Sequence, residues 1–211
     1  MTCEDEAIVG RREQKKRETR QAIRDAALDL ALQQGLEKLT VEAIAQAAGV
    51  SPRTFFNYFA SKEDALVTQA TDGAAQVRRL LLERPSHEAP MQAFRHAILS
   101  SEYFGVDPVD RERLLARQRL TQDNPSLMAH HLGKIAMVEQ EFASALAERM
   151  GVDMAEDFSP ELLAAIAMSA IRIAVRRWVA NNSQPLYELL DVAFERLEQI
   201  DPHVARTMTV Q

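Results

Sequence analysis

The sequence predicts an all-α protein with two helical domains, and three observations support this fold class. Only seven glycines and eight prolines occur in 211 residues, so few positions break a helix. Aromatic residues make up 6% of the chain, whereas alanine, leucine, glutamate, glutamine and arginine, which favour helices, are abundant. Apolar residues also recur at spacings of three and four, the period of a helix with one buried face.

The first helical pattern begins at Glu18 and ends before Gly35. Its apolar positions share one face: Ile23, Ala26, Ala27, Leu30 and Ala31. Gly35 follows the last turn, where a residue with left-handed backbone commonly ends a helix.

Two short helices are expected next. Thr40 is a predicted N-cap for a helix over Val41–Ala48, which Gly49 ends. Ser51 is a predicted N-cap for a third helix over Arg53–Phe59, and the proline before it suits the first helical position. A second and a third helix joined by a tight, glycine-containing turn are typical of a helix-turn-helix.

The third predicted helix has barely two turns, so it needs packing to be stable. We therefore assign Phe55 and Phe59 to the core beneath it rather than to a nucleic-acid contact. Directly afterwards, Ser61–Asp64 has the spacing of a capping box. This predicts a fourth, longer helix that continues to about Leu82.

Composition excludes several classes of protein. With 46% hydrophobic residues the chain can bury a core, and its single cysteine, Cys3, has no intrachain disulfide partner. The longest apolar stretch, Ala164–Ala170, is far shorter than the ~20 residues that cross a bilayer. The N-terminal region contains charge rather than an apolar signal core. We therefore expect a cytoplasmic protein with no membrane partner and no cofactor.

Basic residues are concentrated near the N-terminus of an acidic chain. The formal net charge of −6 counts against a nucleic-acid partner, because phosphate binding depends on lysine and arginine. Seven basic residues nevertheless lie from Arg11 to Arg24, against two acidic ones. We predict a basic flexible arm over residues 1–16. It is either a solubilising tail or a segment that orders on DNA, with Arg11 or Arg12 in a minor groove and Arg20 on a phosphate.

The segment Leu39–Leu66, LTVEAIAQAAGVSPRTFFNYFASKEDAL, resembles the N-terminal domain of TetR-type transcriptional regulators. The resemblance extends over about Arg17–Val77. It implies a DNA-binding helix-turn-helix domain over residues 17–77 and a helical effector-binding and dimerisation domain over residues 78–211. It also implies double-stranded operator DNA as a partner, and an effector that lowers operator affinity by shifting the population of two states.

A helix that enters the major groove brings the side chains of its first turns to base edges. Arg53 is predicted to contact guanine, Asn57 adenine, and Thr54 a thymine methyl group or a phosphate. Residues with a hydroxyl, an ammonium group or a place at a helix N-terminus are predicted to hold the DNA backbone: Thr40, Ser51, Pro52, Tyr58 and Lys62. For Arg53 and Lys62 the alternative is an ordinary solvated charge.

Phe56 departs from the family pattern. In TetR-type proteins an aromatic residue with a hydroxyl commonly stands at this position and contacts the DNA backbone. Because Phe56 lacks the hydroxyl, we predict that it packs against a sugar or a methyl group instead.

Five further helices are predicted beyond a short polar connection over residues 83–90. Their expected ranges are Met91–Tyr103, Val109–Thr121, Pro125–Met150, Pro160–Asn181 and Pro185–Ile200. Asn124 and Ser159 are predicted N-caps, and Gly151 is predicted to end the third of these helices.

The last two predicted helices indicate a subunit interface. Pro160–Asn181 is apolar on more than one face and needs cover from two sides, and Pro185–Ile200 carries one clean apolar stripe. The resemblance implies that two such helices from each of two subunits form a four-helix bundle. The alternative is that both helices fill the core of a monomer. A homodimer would place two recognition helices ~34–36 Å apart, which matches a palindromic operator.

An effector pocket is expected between helices of the second domain. Its candidate lining residues are large and apolar, together with one cation: Phe94, Ile98, Tyr103, Phe104, Met128, Met137, Phe142, Arg172 and Trp178. For each apolar residue the alternative, which the sequence favours, is a place in the plain core, and for the arginine it is a surface salt bridge. From Arg117 to the helix of Trp178 the block is similar to the C-terminal domain of mycofactocin-type TetR regulators, which implies an acyl-CoA-like ligand but no particular ligand residue.

The residues give little support to an enzyme. His130 and His131 are adjacent, so on a helix they diverge by about 100° and do not share a metal as an i, i+4 pair does. No glycine-rich phosphate loop occurs, and Cys3 lies in the expected mobile N-terminal tail, so neither a Cys–His nucleophile nor a thiolate metal cluster is indicated.

We predict a repressor that a small apolar or acyl-type ligand releases from a palindromic operator. The alternative is a small-molecule binding or interaction module without operator-specific DNA binding. Activation rather than repression also stays open.

Overall fold

The computed structural model describes residues 3–67, 70–101, 108–181 and 184–200, and these residues form α-helices joined by turns, with no β-strand among them. The all-α fold class is confirmed. The helices are α1 (Cys3–Gln34), α2 (Val41–Ala47), α3 (Pro52–Phe56), α4 (Lys62–Leu66), α5 (Ala70–Glu83), α6 (Pro90–Leu99), α7 (Pro108–Asp123), α8 (Pro125–Met150), α9 (Ser159–Ala180) and α10 (Leu186–Ile200).

The helices form two compact units. The first comprises Met1–Thr68 and Ala116–His131, and the second comprises Gln69–Leu115 and Leu132–Gln211. The expected division gave all of residues 78–211 to the second domain. The segment Ala116–His131 belongs to the first unit because Leu127 is fully buried in that unit's core.

The backbone of α1 is helical from Cys3 onward, which differs from the flexible arm expected over residues 1–16. Arginine, lysine, glutamate and glutamine dominate this region, and no proline occurs before Gln34. These residue types lose little conformational freedom in a helix. Further along α1, the predicted apolar face packs into the first core through Ile23, Ala27 and Ala31.

The helix-turn-helix forms where the caps predicted it. Thr40 Oγ1 accepts the N–H of Ala43 at 3.2 Å at the start of α2. Gly49 has a φ of 66°, and its N–H donates to the carbonyl of Gln46 at 3.1 Å. Only this left-handed backbone turns the chain so sharply after α2, which favours glycine. Ser51 Oγ then accepts the N–H of Thr54 at 3.1 Å and begins α3.

The fourth predicted helix is capped as expected but is interrupted. Ser61 Oγ accepts the N–H of Asp64 at 3.2 Å, and Asp64 Oδ2 accepts the N–H of Ala60 at 3.1 Å. The single helix predicted as far as Leu82 is nevertheless wrong, because α4 ends at Leu66 and Val67 is extended with a ψ of 151°. Val67 is β-branched and buried in the first core, so packing overrides a weak local preference for helix.

The core of the second unit is apolar, and three phenylalanine rings pack together in it. The centroids of Phe94 on α6 and Phe142 on α8 lie 4.9 Å apart with the rings at 82°, and Phe194 on α10 lies 6.1 Å from Phe94. Such edge-to-face and tilted pairs are favourable beyond the area that they bury. Ile98 and Trp178 are buried in the same core.

The side chain of Arg149 on α8 holds the connection between α5 and α6 in place through hydrogen bonds. The guanidinium of Arg149 donates to four carbonyl oxygens, which belong to Leu81 at 3.3 Å, Arg84 at 2.9 Å, Pro85 at 2.6 Å and Glu88 at 3.1 Å. The last carbonyls of a helix lack intrahelical partners, so a cation at this position satisfies them.

Glu88 is the centre of an ionic cluster in this connection. Its Oε2 accepts from Arg84 Nε at 2.9 Å and lies 3.2 Å from His96 Nδ1. The hydrogen bond from Arg84, aided by the contact with His96, lowers the pKa of Glu88 to about 2. The carboxylate therefore stays charged at any physiological pH.

Two of the predicted caps in the second half of the chain act differently from expectation. Asn124 donates its side-chain N–H to the carbonyl of Leu120 at 2.7 Å, so it satisfies the end of α7. Ser159 is the first residue of α9 rather than its cap, and its N–H donates to Asp157 Oδ1 at 2.8 Å. Gly151, with a φ of 68°, ends α8 as predicted.

Candidate nucleic-acid interface

Helix α3 divides its side chains between the core and the outside. Phe55 is fully buried and Phe59 is 2% exposed, which confirms that both are core residues. Arg53 and Asn57 are exposed, as is Phe56, whose exposed fraction is 57%. The ring of Phe56 stands edge-on to Phe55 with 5.5 Å between centroids. Arg53 and Phe56 lie on α3 and Asn57 is its C-cap, so the three exposed side chains are presented by a short helix that is fixed from beneath.

The hydroxyl groups predicted to contact phosphates also hold the backbone. Thr40 and Ser51 are exposed and cap α2 and α3. Ser51 Oγ also lies 2.9 Å from Thr54 Oγ1, on the half-buried side of α3. Each hydroxyl accepts a backbone N–H through its oxygen, and a hydroxyl can donate as well as accept. Pro52 occupies the first turn of α3 and is exposed beside them.

Lys62 ties the connection between α1 and α2 to the start of α4. Its Nζ donates to the carbonyl of Leu36 at 3.1 Å and to that of Leu39 at 2.9 Å. An ammonium group has three N–H donors, so these bonds leave one for another acceptor. The sequence suggested a phosphate contact for Lys62 and gave no sign of this internal role, because the acceptors lie 26 and 23 residues earlier in the chain.

Arg20 of α1 holds Tyr58 and Phe59, which follow α3. Its Nη2 donates to the carbonyl of Tyr58 at 3.0 Å, and its guanidinium carbon lies 5.1 Å from the centroid of Phe59. The buried guanidinium of Arg24 lies 5.5 Å from the same ring. Cations over an aromatic face are attracted to its π electrons. Tyr58 is half-buried against the first core, so its predicted phosphate contact would be made by a residue that also packs.

The segment Ala116–His131 completes the first unit in a way that the sequence did not indicate. Leu127 is fully buried there, with Ala116 and Leu120 packed against the same core. His130 Nε2 also lies 3.5 Å from Oδ1 of Asp64, the residue whose carboxylate accepts the N–H of Ala60 at the start of α4. Apolar spacing shows that a residue is buried but not which core it enters, so no short-range signal identifies this contribution.

The residues proposed to line an effector pocket are not brought together as a set. Phe94, Ile98, Phe142 and Trp178 share the core of the second unit. Met137 is 63% exposed, and Arg172 is exposed and donates to Ser169 Oγ at 3.1 Å. Met128 belongs to the first unit, and Tyr103 and Phe104 lie outside the described residues.

An open groove of about 760 Å³ lies on the outer side of α9 and α10. Small and apolar residues dominate its lining, with one arginine from each helix: Ala165, Ile166, Ser169, Ala170, Ile173, Ala174, Arg177, Leu189, Val192, Ala193, Arg196 and Leu197. Beside it, Leu162 is 50% exposed, and in its lining Ile173 and Val192 are 41% and 45% exposed. The second apolar face that the sequence predicted for this region is thus uncovered in the single chain.

Comparison with known proteins gives the family. Residues 23–67 match the family described as "Bacterial regulatory proteins, tetR family", and residues 88–202 match the family described as "MftR C-terminal domain". The HTH-type transcriptional regulator TcmR of Streptomyces glaucescens is 36% identical over 200 residues, which cover 92% of this chain and 88% of TcmR. The chain belongs to the TetR family.

Two further relatives agree. A candidate transcriptional regulator of mycofactocin biosynthesis, MftR of Mycobacterium tuberculosis, is 30% identical over 190 residues, which cover 90% of this chain and 93% of MftR. The crystal structure of a candidate TetR-family regulator from Syntrophomonas wolfei has the same fold, with a TM-score of 0.55 and 18% identity over 88% of this chain and 95% of that one.

Membership confirms a transcriptional regulator with a DNA-binding helix-turn-helix. TetR regulators dimerise and bind small-molecule effectors, and they are generally not enzymes. In the part of the chain that the structure describes, no cluster of histidine, cysteine or carboxylate side chains is suited to a metal ion. None of the described helices is long and apolar enough to cross a membrane.

Proposed function

We propose that α3 reads operator sequence in the major groove through Arg53 and Asn57. The observation that carries this proposal is the exposed face of α3 on a helix capped by Ser51 and fixed from beneath by Phe55. Arginine suits the two acceptors of guanine, and asparagine suits the donor and acceptor of adenine. Thr54, which is half-buried, contacts a thymine methyl group or the backbone.

Phosphate contacts fix the register of α3 on the duplex. Thr40, Ser51 and Pro52 lie exposed at the starts of α2 and α3, where backbone N–H groups and hydroxyls meet phosphate oxygens favourably. Lys62 offers its third N–H and a positive charge. Phe56, exposed and without a hydroxyl, packs on a sugar or a methyl group.

Arg20 acts mainly by positioning. Its guanidinium is engaged with the carbonyl of Tyr58 and the ring of Phe59. A phosphate near Tyr58 would meet a local positive charge that is already held in place, without a costly change of rotamer.

Two copies of the chain pair through α9 and α10. The open groove and the exposed Leu162, Ile173 and Val192 support this, because neighbouring exposed apolar residues on one face commonly mark a protein–protein contact. Pairing about a two-fold axis would present two α3 helices to successive major grooves, ~34–36 Å apart, and so select a palindromic operator.

The regulator acts in the cytoplasm as a repressor that a small apolar or acyl-type effector releases. The core around Phe94, Phe142 and Trp178 is apolar, so a ligand that enters between these helices has to match it with an apolar group. A ligand that prefers the state with widely spaced α3 helices lowers operator affinity by the same factor as the operator lowers ligand affinity.

Selection of binding sites from a random duplex pool, followed by mobility-shift competition at fixed salt, tests the proposal. Selected palindromes are expected to bind ~10³-fold or more tightly than random DNA. Equal affinity for every sequence would overturn operator recognition. Calorimetric titration with an acyl-CoA, with and without operator, tests the effector: an affinity that DNA leaves unchanged would leave a ligand-binding module without regulation by release.

A further inference from the structure

We propose that opposite charges on α9 and α10 make this chain select a second copy of itself. In the pairing, α9 of one copy supplies arginines and α10 of the other supplies carboxylates. This inference rests on the proposed homodimer and goes beyond it, because it names the groups that decide which subunit is accepted.

The outer face of α9 combines an apolar seam with a basic edge. Leu162, Ile166, Ser169 and Ile173 follow one another at spacings of four, three and four, which keeps them in line along a helix that packs on a neighbour. Three exposed arginines lie beside the second half of this seam: Arg172, Arg176 and Arg177. The sequence has no acidic residue from 162 to 180.

The outer face of α10 has the opposite character. Glu188, Val192 and Glu195 follow at spacings of four and three, so two carboxylates flank an apolar residue that is 45% exposed. Asp191 lies one turn from Glu195 and Glu188. Among the described side chains of α10, the one basic residue is Arg196, and its Nη1 donates to Gln199 Oε1 at 3.4 Å.

These charges do not serve the packing of α9 on α10 within one chain. The two helices pack extensively against each other, yet no ion pair joins them among the described residues. Arg172 donates to Ser169 on its own helix, and Glu188 accepts from the hydroxyl of Tyr187 at 3.3 Å. In the described part of the chain, Arg176 and Arg177 contact no carboxylate.

Glu188, Asp191 and Glu195 form the acidic edge of α10, and two of these carboxylates also make ion pairs within the chain. Arg95 of α6 donates to Glu195 Oε1 at 3.1 Å, and its Nη2 lies 2.6 Å from Asp191 Oδ1. The Arg95 side chain is 16% exposed, so this pair holds the acidic edge in position. Among the described residues no cation is paired with Glu188, which lies half-buried on α10.

The direction of the two-fold axis determines which charged helix faces which in the dimer. We place the two-fold axis along the four-helix bundle, so that each α9 is the neighbour of α10 from the other copy and lies diagonally across from the other α9. The arginines of each α9 then face the carboxylates of α10 from the other copy, and helices of like charge lie diagonally apart. A subunit with a different charge pattern would oppose like charges, which is how electrostatics discriminates between partners whose apolar faces are alike.

The test uses two full-length variants with reversed edges. One carries R172E, R176E and R177E, and the other carries E188K and E195K. Asp191 remains in the second to hold Arg95, and the single variant E188K leaves both contacts of Arg95 intact. Circular dichroism checks that each variant is folded, and analytical ultracentrifugation measures the dimer dissociation constant of each alone and of the two mixed.

The expected result is recovery on mixing. Each reversed variant alone should dimerise at least ~100-fold more weakly than the unmodified chain, since opposed like charges cost several kcal/mol. The equimolar mixture should form heterodimers with an affinity near that of the unmodified dimer. E188K alone should show a smaller loss, and the unmodified dimer should weaken as salt is raised.

The outcomes separate this inference from the proposed homodimer. Reversed variants that dimerise as tightly as the unmodified chain, or folded monomers that fail to combine when mixed, would overturn charge selection. If a reversed variant fails to fold, the salt dependence of the unmodified dimer decides. A dimer dissociation constant that does not change with salt would overturn charge selection. An unmodified chain that stays monomeric on operator DNA would instead overturn the homodimer.

Discussion

The two units of this regulator differ in the length of their helices and in how those helices are held in place. In the first, helices of five to seven residues are fixed by polar groups: Thr40 and Ser51 cap them, and Lys62 and Arg20 tie distant carbonyls. In the second, helices of up to 26 residues pack through aromatic and aliphatic side chains. Short helices are unstable alone, so the helix-turn-helix needs both these polar contacts and the apolar core around Phe55, whereas the longer helices of the second unit share a larger apolar core.

A core substitution under α3 should show this dependence most strongly. Phe55→Ala removes a fully buried ring and is expected to destabilise the first unit by ~3–5 kcal/mol. Urea unfolding followed by circular dichroism should then show an early transition for the first unit and a loss of operator binding. Phe56→Ala is the matched control, because that neighbouring ring is 57% exposed. A similar loss of stability from both variants would contradict the assignment of Phe55 to the core.

The polar ties can be broken one at a time. Lys62→Ala removes two charge-assisted hydrogen bonds to Leu36 and Leu39 and should cost about 1.5–3 kcal/mol of stability. The same variant should bind every DNA sequence more weakly, with a salt slope lower by about one. Differential scanning calorimetry decides between the roles: an unchanged melting temperature would leave Lys62 with the phosphate contact alone.

A residue that contacts bases and takes no part in the fold should affect operator binding but not stability. Arg53 is exposed in the first turn of α3, so Arg53→Ala should leave the melting temperature unchanged. Operator affinity should fall by ~1–3 kcal/mol, with preference relaxed at one base pair. Competition among operators mutated at single positions measures this. An equal loss on operator and random DNA would assign Arg53 to the backbone instead.

Acid titration should give the smallest effect, and in the second unit. The pKa of Glu88 is lowered to about 2 by Arg84 and His96, so its folded form binds a proton less readily than the unfolded chain does. The cluster therefore stabilises the protein above the ordinary glutamate pKa, and the contribution disappears as pH falls through about 2. Unfolding between neutral and acid pH should be less pH-dependent in Glu88→Gln. A matching slope for Glu83→Gln, a more exposed carboxylate paired with Arg79, would contradict this cause.

Much of the helical organisation could be predicted from local residues. Thr40, Ser51 and Ser61 cap the helices that they were predicted to cap, and Gly49 has the left-handed backbone. The prediction of α8 as Pro125–Met150 was confirmed at both ends. The roles of Arg53 and Asn57 as base readers stay a prediction, but both side chains are exposed, as a base contact requires. The single helix from Ser61 to Leu82 failed because burial of Val67 outweighed its periodicity.

What the sequence alone determined is what neighbouring residues decide among themselves: where helices begin and end, which stripe is apolar, and which family the motif resembles. Only the tertiary structure decided that Leu127 enters the first core, that Lys62 and Arg20 hold distant carbonyls, and that the aromatic candidates for a pocket share one packed core. Caps and turns are settled within a few residues by hydrogen bonding and backbone angles. Contacts between residues tens of positions apart depend on how whole helices pack, which no local pattern records.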